Sequence, residues 1–153
     1  MRFVFGDYTV EVDVEKTREY YRREMPENDC ECSGCRNFRK YAEVCPEEIK
    51  RAFAELGIDD INYILEIIPF DCAKEDYDRN GGNFYGGFYA VIGELIGGGP
   101  IDSQKSTRQI TSGFGLFLHD SMYKPDNFPD PAFNINIEAW IPWLIDAENE
   151  YVY

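Results

Sequence analysis

Three of the five cysteines lie within residues 30–35 (CECSGC), at Cys30, Cys32 and Cys35. Thiolates are the softest ligands among protein side chains, and a tetrahedral zinc site takes four thiolates or a mixture of cysteine and histidine. The three cysteines can therefore supply three of the four ligands of such a site. No other stretch of the chain concentrates reactive side chains to this degree, so we take it as the candidate functional centre.

The fourth ligand is not evident from the sequence. A helix is expected over about residues 35 to 45, and at 1.5 Å per residue it would separate Cys35 from Cys45 by about 15 Å. Ligands of one ion need Cα atoms within about 7 Å of each other, so Cys45 is excluded unless the helix ends early. The remaining candidates are Cys72, the single histidine His119, and the carboxylates Asp29 and Glu31.

Two other interpretations of the cysteine cluster stay open. Cysteine is among the residues most often buried, so the three could be packing residues, and Cys35 is expected on the inner face of a helix. Alternatively, Cys35 lies near a helix N-terminus, where a thiol pKa falls, and Cys30 or Cys32 would resolve its disulfide. That hypothesis describes a thiol-dependent redox enzyme or redox sensor.

Two further motifs point to chemistry less clearly. Residues 76–81 (DYDRNG) match the first half of a calcium loop, but Gly87 occupies the position of the bidentate glutamate, so we expect a polar hairpin turn. A catalytic triad in this chain would need His119, the single histidine, as its base. No serine lies in a G-x-S-x-G nucleophile elbow, so the sequence does not indicate such a triad. We expect a hydrogen-bonded structural histidine, and we assign no catalytic or cofactor-binding residue.

The composition limits the classes of partner. The formal net charge is -14, which disfavours nucleic acids and anionic membranes. It is compatible with a basic protein partner and equally with a charge that only keeps the protein soluble. No apolar run approaches the roughly 20 residues of a membrane span, and the N-terminus lacks the apolar core of a signal peptide. An odd number of cysteines also disfavours a secreted disulfide framework. We therefore expect a cytoplasmic protein.

Hydrophobic periodicity predicts one α+β domain over residues 1–153. We expect an N-terminal β-hairpin around Gly6-Asp7, two or three helices, and then an antiparallel sheet of about four further strands. The Tyr20-Tyr21 pair is expected in the core, and the Tyr151–Tyr153 tail is expected to be loose. One helix is predicted over about residues 15–25, a second is predicted to begin at Ser33, and a third is predicted from Pro46 to Gly57. The later strands are predicted over residues 61–70, as a central strand, and over 84–96, 114–119 and 133–139.

Several short motifs are distributed over nearly the whole chain: Thr17-Arg18 with Tyr20-Tyr21, D-C-x-C-x-G-C-x-N from Asp29, Leu56–Asp59 (LGID), Tyr85–Tyr89 (YGGFY) and Ile141-Pro142-Trp143. With these motifs the chain resembles a family of small, acidic, uncharacterised bacterial proteins. The resemblance implies a bacterial cytoplasmic setting and brings no known activity.

The sequence favours a non-enzymatic protein that acts through a protein partner, with zinc at Cys30, Cys32 and Cys35 as the candidate cofactor. Its acidity and its many aromatic residues support a partner, and no catalytic set is assembled. The alternative is the redox protein that uses Cys35.

Overall fold

The computed structural model describes residues 1–153 and contains seven strands and four α-helices. All strand pairs are antiparallel, and with the N-terminal hairpin they confirm the predicted α+β fold. The strands are β1 (Arg2–Phe5), β2 (Tyr8–Val12), β3 (Glu66–Pro69), β4 (Asn83–Leu95), β5 (Arg108–Thr111), β6 (Phe114–Leu118) and β7 (Ala132–Ile141). The helices are α1 (Val14–Glu24), α2 (Ser33–Val44), α3 (Glu47–Glu55) and α4 (Lys74–Asn80).

The long strand β4 organises the sheet. The strand order is β1-β2-β4-β7-β6-β5, and β3 also pairs with β4. One edge of β4 pairs with β7 over residues 83–92. The other edge pairs with β3 over residues 85–88 and with β2 over residues 93–95. Residues 89–92 therefore have no strand partner on that second edge.

Helix α1 satisfies the backbone groups at this gap. The Tyr21 hydroxyl donates to the Ala90 carbonyl (2.7 Å) and accepts from the Ala90 amide (3.1 Å). The Thr17 hydroxyl accepts from the Ile92 amide at 3.1 Å. Tyr21 and Thr17 are buried, and buried backbone groups need partners, so two side chains take the place of a neighbouring strand.

Helices α1, α2 and α3 pack on one face of the sheet and with it enclose a core of 31 buried apolar residues, to which α4 contributes none. Cys35, Phe38 and Ala42 form the buried face of α2, as their spacing predicts. Gly57 follows the third helix with a φ of 95°, and the Ile58 amide donates to the Phe53 carbonyl, so the helix ends near the predicted Gly57 with a left-handed cap. None of the helices has both the length and the apolar character needed to cross a membrane.

Two predicted elements are wrong. Residues 61–70 do not form a central strand, because a 3₁₀ turn occupies Ile61–Tyr63 and the four-residue β3 pairs only with β4. Residues 76–81 form neither a hairpin turn nor a calcium loop. Residues 76–80 belong to α4, where Arg79 pairs with Asp76 at 3.0 Å, and Gly81 caps the end of this helix with a φ of 75°. Local ion pairs and a glycine cap thus outweigh the turn signal of Asn80-Gly81.

The C-terminal tail is held in place, so the predicted loose terminus is also wrong. Val152 forms a parallel bridge with Cys72, and Cys72 lies between β3 and α4 in the sequence. The Cys72 amide donates to the Tyr151 carbonyl at 2.8 Å, and the Tyr153 amide donates to the Cys72 carbonyl at 3.1 Å. The bridge places the Tyr151 side chain beside the N-terminus of α2.

The substitution Tyr21→Phe tests the role of α1 at the gap in the sheet. We expect it to lower the free energy of unfolding by about 2–4 kcal/mol, because it leaves a buried amide and a buried carbonyl without partners. Urea denaturation measures the change. Tyr41→Phe is the matched control, since the Tyr41 hydroxyl has no hydrogen-bond partner in the protein, and it should change stability by less than about 0.5 kcal/mol. Equal effects of the two substitutions would contradict this role.

Candidate metal centre

The three predicted cysteines meet at the N-terminus of α2. The sulfur atoms of Cys30, Cys32 and Cys35 all lie within 4.8 Å of one another. Cys30 is exposed in the preceding loop, Cys32 is half-buried, and Cys35 is buried in the first turn of the helix. All five cysteines of the chain are free thiols. The spacing of the motif is thus sufficient to bring three soft ligands to one point.

None of the candidate fourth ligands completes the group. The group of potential metal ligands at this point contains the three cysteines and no fourth cysteine, histidine, aspartate or glutamate. Cys45 is buried just after the far end of α2, and the buried Cys72 accepts a hydrogen bond from the Asn83 amide at 3.6 Å. His119 is exposed, and its Nδ1 accepts from the Ser121 amide at 3.0 Å.

Cys32 is the N-cap of α2. Its backbone is extended, with φ -62° and ψ 154°, and its Sγ accepts a hydrogen bond from the Cys35 amide at 3.4 Å. The sequence favours Ser33 for this position, which is wrong by one residue. The buried Ser33 hydroxyl instead donates to the Glu150 carboxylate at 2.8 Å. A thiol therefore takes the place at the helix N-terminus where an acceptor is stabilised.

Gly34 allows α2 to approach the sheet closely. A Cβ atom at this position would lie 2.6 Å from the Pro69 ring and 3.0 Å from the Tyr151 ring. The Tyr85 hydroxyl also donates to the Gly34 carbonyl at 2.8 Å. Any larger residue would push the first turn of the helix, and with it two of the cysteines, away from β3 and the C-terminal tail.

Asn37 connects the cysteine segment to the Ile141-Pro142-Trp143 segment. Its buried side chain donates to the Pro142 carbonyl at 3.0 Å and accepts from the Leu144 amide at 2.6 Å. The Trp143 ring lies 6.1 Å from the Tyr151 ring, measured between centroids. Two distant motifs of the sequence thus form one structural unit around the thiols.

The loop that carries Cys30 is fixed by two residues that the sequence analysis missed. The Asn28 side chain accepts from the Cys30 amide at 3.1 Å and donates to the Cys35 sulfur at 3.3 Å. Arg39 donates to the carbonyls of Asn28 and Cys30, both at 2.9 Å. Arg39 lies four residues after Cys35, hence on the same side of α2, and this spacing is the one signal in the sequence that points to it.

The environment differentiates Cys32 from Cys35. Burial tends to raise the pKa of Cys32, but hydrogen bonds from the Cys35 amide, the Tyr151 hydroxyl and the other two thiols lower it to about 7. Burial raises the pKa of Cys35 to about 12, although the Asn28 amide acts in the opposite direction. The prediction that Cys35 has the lowered pKa is therefore wrong. The N-cap position favours the thiolate of Cys32, and the helix buries Cys35.

Comparison of the chain with models of protein families, with curated proteins and with solved structures finds no match. The resemblance to a family of bacterial proteins stays a prediction. The function must therefore be inferred from the site itself.

The pH dependence of alkylation tests the assignment of the thiolate. In reduced, metal-free protein, the rate of iodoacetamide reaction at Cys32 should increase with pH along a titration curve whose midpoint is about pH 7, because only the thiolate reacts. Cys35 should remain nearly unreactive at this pH. Mass spectrometry of the labelled peptides distinguishes the two sites. Faster labelling of Cys35 than of Cys32 at neutral pH would contradict the assignment.

Proposed function

We propose that this protein binds a thiophilic metal ion, zinc above all, through Cys30, Cys32 and Cys35, and that it acts through a protein partner and not as an enzyme. One observation carries the proposal, namely that three cysteine sulfur atoms lie within 4.8 Å of one another at a helix N-terminus. Thiolate ligands select zinc, copper(I) and iron–sulfur clusters over hard cations.

The dimensions of the group suit a zinc ion. A Zn–S bond of about 2.3 Å in a tetrahedral site places the sulfur atoms about 3.8 Å apart. The thiols would need to close by up to about one ångström from the present limit of 4.8 Å. Cys30 lies in a loop and can make most of this movement, while Cys32 and Cys35 belong to the start of a helix that is fixed at Gly34 and Asn37.

The chemistry of the group also suits a metal. Metal binding displaces protons from thiols, and this costs least where a thiolate is already present near neutral pH, as at Cys32. The positive end of α2 and the donor groups of Asn28 and Tyr151 help to balance the negative charge of the thiolates. The fourth position is left for water or for a side chain of a partner.

The acidic surface supports the partner in this proposal. A net charge of -14 attracts basic proteins and repels nucleic acids and anionic lipids. A metal with one free coordination position can accept a partner's ligand or can hold the Cys30 loop in the conformation that a partner recognises. The proposed setting is the bacterial cytoplasm, where thiols stay reduced and available to a metal.

Zinc loading of purified protein tests the proposal. After removal of excess metal, the protein should retain about one zinc ion per chain, and Cys30→Ser, Cys32→Ser and Cys35→Ser should each weaken binding by more than about 100-fold. Mass spectrometry gives the metal content, and competition with a chelator gives the affinity.

The matched control is Cys45→Ala, which removes a buried thiol outside the group and should leave zinc affinity unchanged. Circular dichroism of each variant confirms that it is folded. Wild-type protein without bound zinc, or serine variants that bind as tightly as the wild type, would contradict the proposal.

A second candidate function is thiol–disulfide exchange. Cys32 and Cys35 form a C-x-x-C motif at a helix N-terminus, with the less buried member, Cys32, favoured as thiolate. The Cys32 thiolate would attack a disulfide of a partner and release one partner thiolate, and Cys35 would then attack the mixed disulfide and release the second. Two partner thiols and one Cys32–Cys35 disulfide result, so the roles are the reverse of those predicted from the sequence.

A further inference from the structure

The sheet has a second face, opposite the helices, that no helix covers. The residues of β4 and β7 alternate between the two faces, and over residues 84–88 and 136–140 those that point away from the helices are only partly buried. We call this surface the outer face. It carries exposed apolar side chains, of which Ile68 is 40% exposed and Phe70 is 43% exposed. Exposed apolar surface of this kind on a strongly charged protein indicates a contact with another molecule.

Aromatic side chains form one side of a groove on the outer face. The rings of Phe70 and Phe84 lie 5.7 Å apart, and those of Phe84 and Trp140 lie 5.2 Å apart. Phe84 and Trp140 are direct partners in the register of β4 and β7, so the row crosses the sheet. Such a row presents ring faces and edges to solvent.

A second aromatic row lies further along the same strands. Phe88 of β4 and Phe117 of β6 are both register partners of Asn136, which lies between them. The Tyr123 ring lies 5.5 Å from Phe88 and extends this row. Phe84 and Phe88 are four positions apart, which separates the two rows by about 13 Å along the strands. This spacing admits one extended chain segment.

The floor of the groove is acidic, and the two glycines beside its carboxylate are partly covered by the Phe70 ring and the Gln109 side chain. Between the two rows, Glu138 pairs with Gly86 on one side and with Gly115 on the other. The carboxylate reaches over Gly115, where a Cβ atom would lie 3.3 Å from its Oε1. Glu138 forms none of the ion pairs of the protein, and neither lysine nor arginine occurs among the strand residues of this face. The groove thus contains a carboxylate without a countercharge between two aromatic rows.

One more polar group at the groove lacks a partner. The Asn136 side-chain nitrogen is buried and makes no hydrogen bond within the protein. A buried donor without an acceptor is unfavourable. Because this nitrogen is shielded from solvent, a carbonyl oxygen of an occupant would reach it only after the Asn136 side chain rotates.

We propose that this groove binds a segment of a partner protein that presents an arginine or lysine side chain between apolar residues. The cation would pair with Glu138 and lie against the aromatic rings, and the apolar neighbours would cover Phe70 and Phe84. The inference rests on the partner in the proposed function and does not depend on the metal. A single-stranded nucleic acid would also find stacking rings here, but the charge of the protein opposes its phosphates.

The test is an NMR titration of ¹⁵N-labelled protein with a short synthetic peptide in which one arginine is flanked by leucines. The amide signals of Phe84, Gly86, Glu138 and Trp140 should shift. A peptide with neutral citrulline in place of arginine should bind about tenfold more weakly, because it loses the charge and keeps the shape. Glu138→Gln should weaken binding of the arginine peptide by about the same factor.

The matched control is Glu94→Gln, which removes an exposed carboxylate of the same strand β4 outside the groove and should leave peptide binding unchanged. Zinc affinity should be the same in both variants, and Cys32→Ser should still bind the peptide, so the two proposals can fail separately. The proposal is overturned if the arginine peptide does not bind at millimolar concentration, or if Glu138→Gln has no effect. It is also overturned if dilution of the protein without peptide shifts the same signals, because a second copy of the chain would then occupy the groove. Tighter binding of oligothymidine than of the arginine peptide at this surface would overturn it as well.

Discussion

The candidate site depends on the close approach of α2 to the sheet at Gly34. The absence of a side chain there lets the first turn of the helix contact Pro69 and Tyr151, and the Tyr85 hydroxyl holds the Gly34 carbonyl. Asn37, one turn later, joins the helix to the backbone of Pro142 and Leu144. These contacts fix the direction of the helix axis, and they leave its N-terminus at the surface with three thiols around it.

The position of the thiols then decides their chemistry. Because Cys32 caps the helix, its sulfur faces the amide of Cys35 and the hydroxyl of Tyr151, and its thiolate is favoured. Cys35 points inward with the apolar face of α2 and is disfavoured as a thiolate. Asn28 and Arg39 hold the backbone of Cys30, but its side chain is exposed and can turn, so it is the member of the group that can adjust to a metal. The start of α2 thus brings together a favoured thiolate at Cys32, a rigid thiol at Cys35 and a movable thiol at Cys30.

Local patterns predict much of this fold but not how its segments meet. The alternation of Phe133 to Ala139, the helical face of Cys35, Phe38 and Ala42, and the hairpin at Gly6 could be predicted because each depends on near neighbours. The cysteine spacing likewise predicts the group of three sulfur atoms. The edge position of β3 and the contact of Tyr151 with Cys32 could not be predicted, because pairings across the whole chain determine both.

Zinc K-edge X-ray absorption of the loaded protein tests the central claim most directly, since it reports the atoms bound to the metal. The account predicts three sulfur scatterers at about 2.3 Å and one nitrogen or oxygen scatterer at about 2.0–2.2 Å. The sulfur count should fall to two in Cys30→Ser, which changes the exposed member of the group. A shell of nitrogen and oxygen atoms without sulfur would contradict a thiolate metal centre at the start of α2.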